Sequence, residues 1–150
     1  MDGIALAYSA LPVELIERHQ LSKLVHDRGG ELEFWFLKNT PLPILPVLHD
    51  GQYRIVAWGS RTGRLPRSGV TWLETVESGR WSTGAAVPVE IPATLGLHNG
   101  IWYPIRRGVR GVLAETTEEA AVYVIVKRPS HYYHVMTRRS YAPILIDQEI

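Results

Sequence analysis

Cysteine does not occur anywhere in the chain. Its absence excludes disulfides, thiolate metal sites and a catalytic thiol, and it accords with a reducing compartment, so a cytoplasmic protein is expected. Long apolar runs are lacking as well. None approaches the roughly 20 residues that a membrane-crossing helix needs, and no membrane partner is expected. Residues 1–20 have no basic stretch ahead of their apolar positions, and Glu14, Glu17 and Arg18 follow closely, unlike a secretory leader. Net charge is also scarce, at +1. So small an excess argues against strong sequence-blind attraction to polyanions but leaves room for a locally basic face. Acidic residues weight the first third, whereas Arg106, Arg107, Arg110, Lys127, Arg128, Arg138 and Arg139 make the last third basic.

What remains is an ordinary globular composition. The hydrophobic share is 45% and the charged share 21%, enough apolar material for a packed core. At 150 residues the chain has the size of one domain with one core. Ser9 and Pro12 open a predicted helix that runs to about His26 with Val13, Ile16, Leu21, Leu24 and Val25 as its apolar stripe, and Gly29-Gly30 stops it. Most of the rest reads as strand. Residues 4–8 are short and apolar, and residues 32–37 are aromatic and apolar. Residues 44–48 and 53–58 flank Asp50-Gly51, a strong hairpin signal. Further strands are predicted at 70–76, 86–91, 101–105, 109–114, 122–127 and 143–146, with a short helix at 130–136 entered through Pro129 and Ser130. The expected fold class is therefore α+β and β-rich: a mixed, mostly antiparallel sheet or distorted barrel with one or two helices.

Few motifs carry chemistry. His131 and His134 stand three apart and share a face of a helix, but no HExxH pattern and no third ligand accompany them, so no metal is assigned. Residues 108–111, Gly-Val-Arg-Gly, lack the spacing of a phosphate-cradling loop and read as a turn. Ser9, Ser60 and Ser130 sit in no nucleophile elbow, which leaves a serine hydrolase unsupported. The five tryptophans, with Arg61, Arg64, Arg67 and Arg80 near them in sequence, have two readings. They supply either base stacking and phosphate contacts for a single strand or, being borne on strands, core packing.

An ordered series of short matches adds to these readings. Residues 1–19 are similar to an MCGR start followed by F-A-L and a proline-initiated helix with E-L-x-E-R. Asn39-Thr40-Pro41 is similar to N-x-A-P, Ala57-Trp58-Gly59 to R-W-G, and Glu74-Thr75-Val76 to the end of N-A-R-x-E-T. Ile91-Pro92-Ala93 is similar to I-P-A-D-G, and residues 141–145 to R-M-P-V-I-L. In this order the motifs resemble the SOS response-associated peptidase family, the abasic-site processing proteins. The resemblance implies a β-rich α+β domain with a positively charged groove for single-stranded DNA. In the family, the amine and thiol of an exposed cysteine close a thiazolidine on an abasic sugar, assisted by an Asn, a Glu and a His.

Asp2 occupies the place of that cysteine, which rules out a thiazolidine, and its size protects Met1 from removal. The arginine of N-A-R falls on Trp72, residues 94–99 lack the family's glutamate, and the family's histidine falls near Arg139. Asn39 alone persists. The leading expectation is a pseudoenzyme, a catalytically degenerate relative that binds single-stranded or damaged DNA, or a protein partner. Its groove would be built from Trp58, Arg61, Arg64, Arg67, Trp72, Arg106, Arg107 and Arg139, with no cofactor. The rival is an enzyme with a rebuilt hydrolytic site using Asp2, His98 or His134. Asp2, Asn39 and His98 are the catalytic candidates, and their clustering in one cleft would favour the rival.

Overall fold

The computed structural model describes residues 1–83 and 85–150, and of residues 82, 83 and 85 the backbone alone. The chain opens with strand β1, Gly3–Ala7, and a 3-10 turn at Tyr8–Ala10, followed by helix α1, Val13–Arg18. Pro12 precedes the helix at φ −61°, already close to helical φ, and Glu14 and Arg18 suit its two ends and pair with each other. The helix stops well short of the predicted His26. Gln20 turns left-handed at φ 53°, a 3-10 turn covers Leu21–Leu24, and strand β2, Val25–Arg28, begins. The residues predicted to end the helix instead make a hairpin with strand β3, Glu31–Leu37, in which Val25 opposes Phe34 and Arg28 opposes Glu31. Gly29 and Gly30, at φ 62° and 94°, supply the two-residue turn. Pairing with the strongly apolar β3 outweighs the helical stripe, whose Val13 is left exposed.

Strands β4, Ile44–His49, and β5, Gln52–Trp58, form the hairpin predicted from Asp50-Gly51, with both turn residues at positive φ. The strand predicted at 70–76 divides into strand β6, Val70–Trp72, and helix α2, Leu73–Glu77. Its length is limited by its partner. Strand β7, Ala85–Pro92, is followed by β8, Leu95–His98, β9, Ile101–Pro104, β10, Gly108–Glu115, and β11, Ala120–Lys127. Along β11, residues 121–122 pair in parallel with β5 and only 124–126 are left for β6. Helix α3, His131–Thr137, begins where predicted, with the Ser130 hydroxyl accepting from the Tyr133 amide. The last predicted strand is reduced to β12, Ala142–Pro143, and a bridge between Val109 and Leu145.

The result is the expected β-rich α+β fold, with two sheets that together are mixed and mostly antiparallel and, among the described residues, three short α-helices. One sheet is entirely antiparallel in the order β2-β3-β1-β8-β9. In the other, β10-β7-β4-β5-β11 closes on itself through β10–β11 into a five-stranded barrel, with β6 and β12 on β11. Strand alternation divides the first sheet cleanly. Ile4, Leu6, Phe34, Phe36, His98 and Tyr103 face the shared core with Leu45, Val47, Val56 and Trp58 of the barrel. On the opposite face, Trp35 and Trp102 meet with ring centres 5.1 Å apart across the small Gly3 and Ala5, and Arg28 lies over both rings. This aromatic clasp holds the two flanks of the sheet curled toward each other.

Trp58 is 2% exposed and Trp72 is 41% exposed, so the two indoles have different duties. Trp58→Ala is expected to destabilise the fold by about 3–5 kcal/mol, the cost of an emptied core site. Trp72→Ala is expected to change it by less than about 1 kcal/mol, as at other surface positions. Urea unfolding of both variants checks this, and equal losses would contradict it.

Candidate functional site

Two groups of polar residues meet on one side of the molecule. The first is built around the end of β1. Met1 is 3% exposed, and its α-amine lies 3.1 Å from His98 Nε2 and donates to Tyr141 Oη at 2.8 Å. His98 Nδ1 lies 2.6 Å from Tyr133 Oη, which in turn donates to Tyr103 Oη at 3.2 Å. One proton arrangement satisfies the chain: the amine donates to Nε2, and a neutral His98 donates from Nδ1 to Tyr133. Electrostatics agree. Burial lowers the amine from its ordinary 8.0 to about 5, with Asp2 opposing and Arg139 assisting. Burial, then the neighbouring amine, lowers His98 from 6.5 to about 4, and burial raises Tyr103, Tyr133 and Tyr141.

Asp2 and His98 are thus brought near each other without acting together. The Asp2 carboxylate accepts from the Asn99 amide at 2.6 Å, while both His98 nitrogens face other groups and the residue is 0% exposed. Asn39 is exposed on the turn after β3. His134 is exposed, with its Nδ1 held 2.9 Å from the Arg139 carbonyl. A hydrolytic site needs a base within reach of a water or nucleophile at an accessible centre, and a buried, neutral His98 flanked by tyrosines does not meet that requirement. Among the described residues, no three histidine or acidic side chains gather as a metal site.

The second group lines a cleft of about 270 Å³ beside the first, linked to it where the Lys38 amide donates to the Asp2 carbonyl at 2.8 Å. Lys38, Arg61 and Arg67 surround it, with Pro41, Leu42 and Pro43 as an apolar wall and Trp58 beneath. The loop from Gly59 to Gly69 is tied down by hydrogen bonds. Glu119 accepts from the Ser60 hydroxyl at 2.7 Å, the Thr62 hydroxyl at 2.5 Å and the Arg61 amide at 3.0 Å. Those bonds, led by that from Thr62, hold the Glu119 carboxyl below its ordinary range. Trp58 Nε1 donates to the Gly69 carbonyl at 3.0 Å, and the Lys38 ammonium lies 6.0 Å from the Trp58 ring centre. A β-carbon on Gly69, at φ 73°, would fall 2.6 Å from the Trp58 ring and 2.7 Å from Lys38 Cε. Only glycine allows that approach.

No family model, curated protein or solved structure matches the chain. The site is therefore read from its own geometry.

The predicted groove residues divide. Arg61 and Arg67 line the cleft, and among the described residues neither they nor Lys38 is paired with a carboxylate; their contacts are with the Leu42, Arg61 and Arg67 carbonyls. Trp58 is the floor rather than a stacking surface. Trp72 is exposed and meets Tyr141 edge-on at 6.4 Å, so an indole does stand beside the amine group. Arg139 is exposed and close enough to lower both the amine and His98. Arg64 is paired with Glu118 at 2.6 Å, and Arg107 with Glu90 at 2.5 Å and Asp147 at 3.0 Å. Arg106 and Arg107 precede β10, whereas Arg61 sits at its far end by Glu119. The eight residues of that strand separate the clusters by about 26 Å. Sequence reasoning missed Lys38, Glu119 and the three tyrosines. Lys38 had one available signal, its place beside Asn39.

Both basic groups of the buried chain are neutral when folded and take up protons at higher pH when unfolded. Stability is therefore fully present above about pH 8 and falls with acidification, from 8 to 5 for the amine and from 6.5 to 4 for His98. The expected loss for the 150-residue chain between pH 8 and pH 5 is a few kcal/mol, about 2–4, read as a lower urea midpoint. An unchanged midpoint would show that the amine is not held neutral.

Proposed function

We propose that this protein binds single-stranded nucleic acid through the Lys38–Arg61–Arg67 cleft and the neighbouring Trp72, as a catalytically degenerate relative of the abasic-site processing proteins. The observation that carries the reading is the convergence of three cations, none neutralised by a carboxylate among the described residues, on one cleft held in shape by Glu119. Guanidinium and ammonium groups placed in this way contact phosphates without reading sequence. The exposed indole of Trp72, five positions after Arg67 in the chain, adds a surface for one base. The degenerate chemistry follows from Asp2 in place of the cysteine and from the enclosure of His98.

The affinity this arrangement supports is modest. Three phosphate contacts correspond to a slope of about −2 for log affinity against log salt, at roughly 0.7 per contact on a single strand. Lys38→Ala, Arg61→Ala and Arg67→Ala are each expected to weaken binding and to flatten the slope by about 0.7. Arg106→Ala, ahead of the start of β10 and away from the cleft, is expected to leave both unchanged. Trp72→Ala is expected to cost on the order of 1–3 kcal/mol at every salt concentration. Fluorescence anisotropy with a labelled oligothymidylate over a salt series measures all five. Absence of binding at low salt would overturn the reading and turn attention to a protein partner for the same face.

A further inference from the structure

The turn at Thr40, Pro41 and Leu42 borders two cavities. One is the cationic cleft; the other, of about 360 Å³, lies between the 3-10 turn at Leu21–Leu24 and the connection from β3 to β4. Its volume falls within the range of small-ligand pockets, which starts at about 300 Å³. Buried Leu21 and Phe36 form its floor, and half-buried Leu24, Leu37 and Ile44 its walls. Leu42 stands at the rim, 63% exposed, an apolar side chain that the fold does not cover.

The titratable side chains on this lining are His19, Lys23 and His26, and no carboxylate is among the lining residues. Among the described residues none of the three has a hydrogen-bond or ion-pair partner for its side-chain nitrogens. Lys23 brings a positive charge, and the two imidazoles bring ring N–H donors. An apolar chamber with an unpaired cation at its edge complements a molecule that is apolar along its body and negative at one end. A sugar phosphate or a polyanion fits poorly, because its hydroxyls or further charges would be left unpaired against Leu21, Leu24 and Phe36. Trp35 already meets His26, Trp102 and Arg28, which leaves the methyl groups of leucine and isoleucine as the main surface for the body of the ligand.

We propose that this cavity binds a free medium-chain aliphatic carboxylic acid, its carboxylate at Lys23 with His19 and His26 as further donors and its chain along the leucines. The inference goes beyond the nucleic-acid reading and is independent of it, because Lys38, Arg61 and Arg67 do not line this cavity.

The test titrates the protein with monomeric octanoate, octan-1-ol and octylammonium, followed by calorimetry and by two-dimensional 15N NMR. Octanoate is expected to bind at least about tenfold more tightly than the alcohol, the difference one charge-assisted contact makes, and octylammonium to bind least. Hexanoate is expected to be weaker than octanoate by about fourfold for each methylene removed. Amide shifts are expected at residues 19–26, 35–37 and 40–44. Lys23→Ala is expected to bring octanoate down to the affinity of the alcohol, whereas Leu42→Ser weakens acid and alcohol alike. Both side chains are exposed, so both variants are expected to keep the wild-type melt. Octanoate binding is also expected to survive in Arg61→Ala/Arg67→Ala, which separates this cavity from the cleft, and its loss there would overturn the proposal. Equal binding of acid and alcohol, tighter binding of the ammonium, no binding of octanoate, or shifts centred elsewhere would each overturn it too. So would retention of the protein on phosphatidylglycerol vesicles that Lys23→Ala abolishes, which would make the ligand a membrane headgroup rather than a free acid.

Discussion

The buried indole of Trp58 joins the barrel to the cleft, and most of the site depends on it. Trp58 ends β5, packs in the core shared by the two sheets, and donates from Nε1 to the Gly69 carbonyl at 3.0 Å. That bond brings the far end of the Gly59–Gly69 loop back over the ring, where the Lys38 stem also lies. The near end is fixed by the Gly59 amide on the Val122 carbonyl at 3.0 Å. A loop tied at both ends presents Arg61 and Arg67 with little left to order on binding, which is how a near-neutral protein can keep a useful local field.

Beside the cleft, the amine of Met1 and His98 are held neutral in a chain of tyrosine hydroxyls. Such a chain stabilises by satisfying buried polar groups with one another, and its enclosure separates it from the accessible chemistry of the face. This arrangement places catalytic-looking residues together and yet gives them structural work. The cleft has the opposite character, with Arg61 and Arg67 exposed and its single organising acid, Glu119, occupied by hydroxyls and an amide rather than by the arginines.

Much of the fold was legible because its signals are local. Asp50-Gly51 marked a hairpin, Ser130 marked the start of a helix, and the apolar runs marked β3, β7, β10 and β11. The helix beyond Arg18 was misread because Gly29-Gly30 serves a helix stop and a hairpin turn equally well, and pairing of Val25 with Phe34 is a tertiary choice. The Asn99-Gly100 turn, at φ 52° and 80°, joins β8 to β9, and its Asn-Gly pair is a local hairpin signal of the same kind as Asp50-Gly51. Strand β6 was overextended because its length is set by how much of β11 is already taken by β5. At the site, Arg61, Arg67 and Trp72 were legible as charge and aromatic composition. The split between buried Trp58 and exposed Trp72, the Glu118 pairing of Arg64 and the remoteness of Arg106 and Arg107 arise from topology that no local pattern encodes.

In the proposed function one cleft, and not the basic residues at large, receives the ligand. A two-dimensional 15N NMR titration with a short oligothymidylate at low salt tests it most directly. Binding at the cleft would confine the shifts to the amides of residues 59–69, the backbone around Lys38 and the indole of Trp72, with those of Arg106 and Arg107 still. Shifts centred on Arg106 and Arg107, or spread evenly over the arginines, would contradict it.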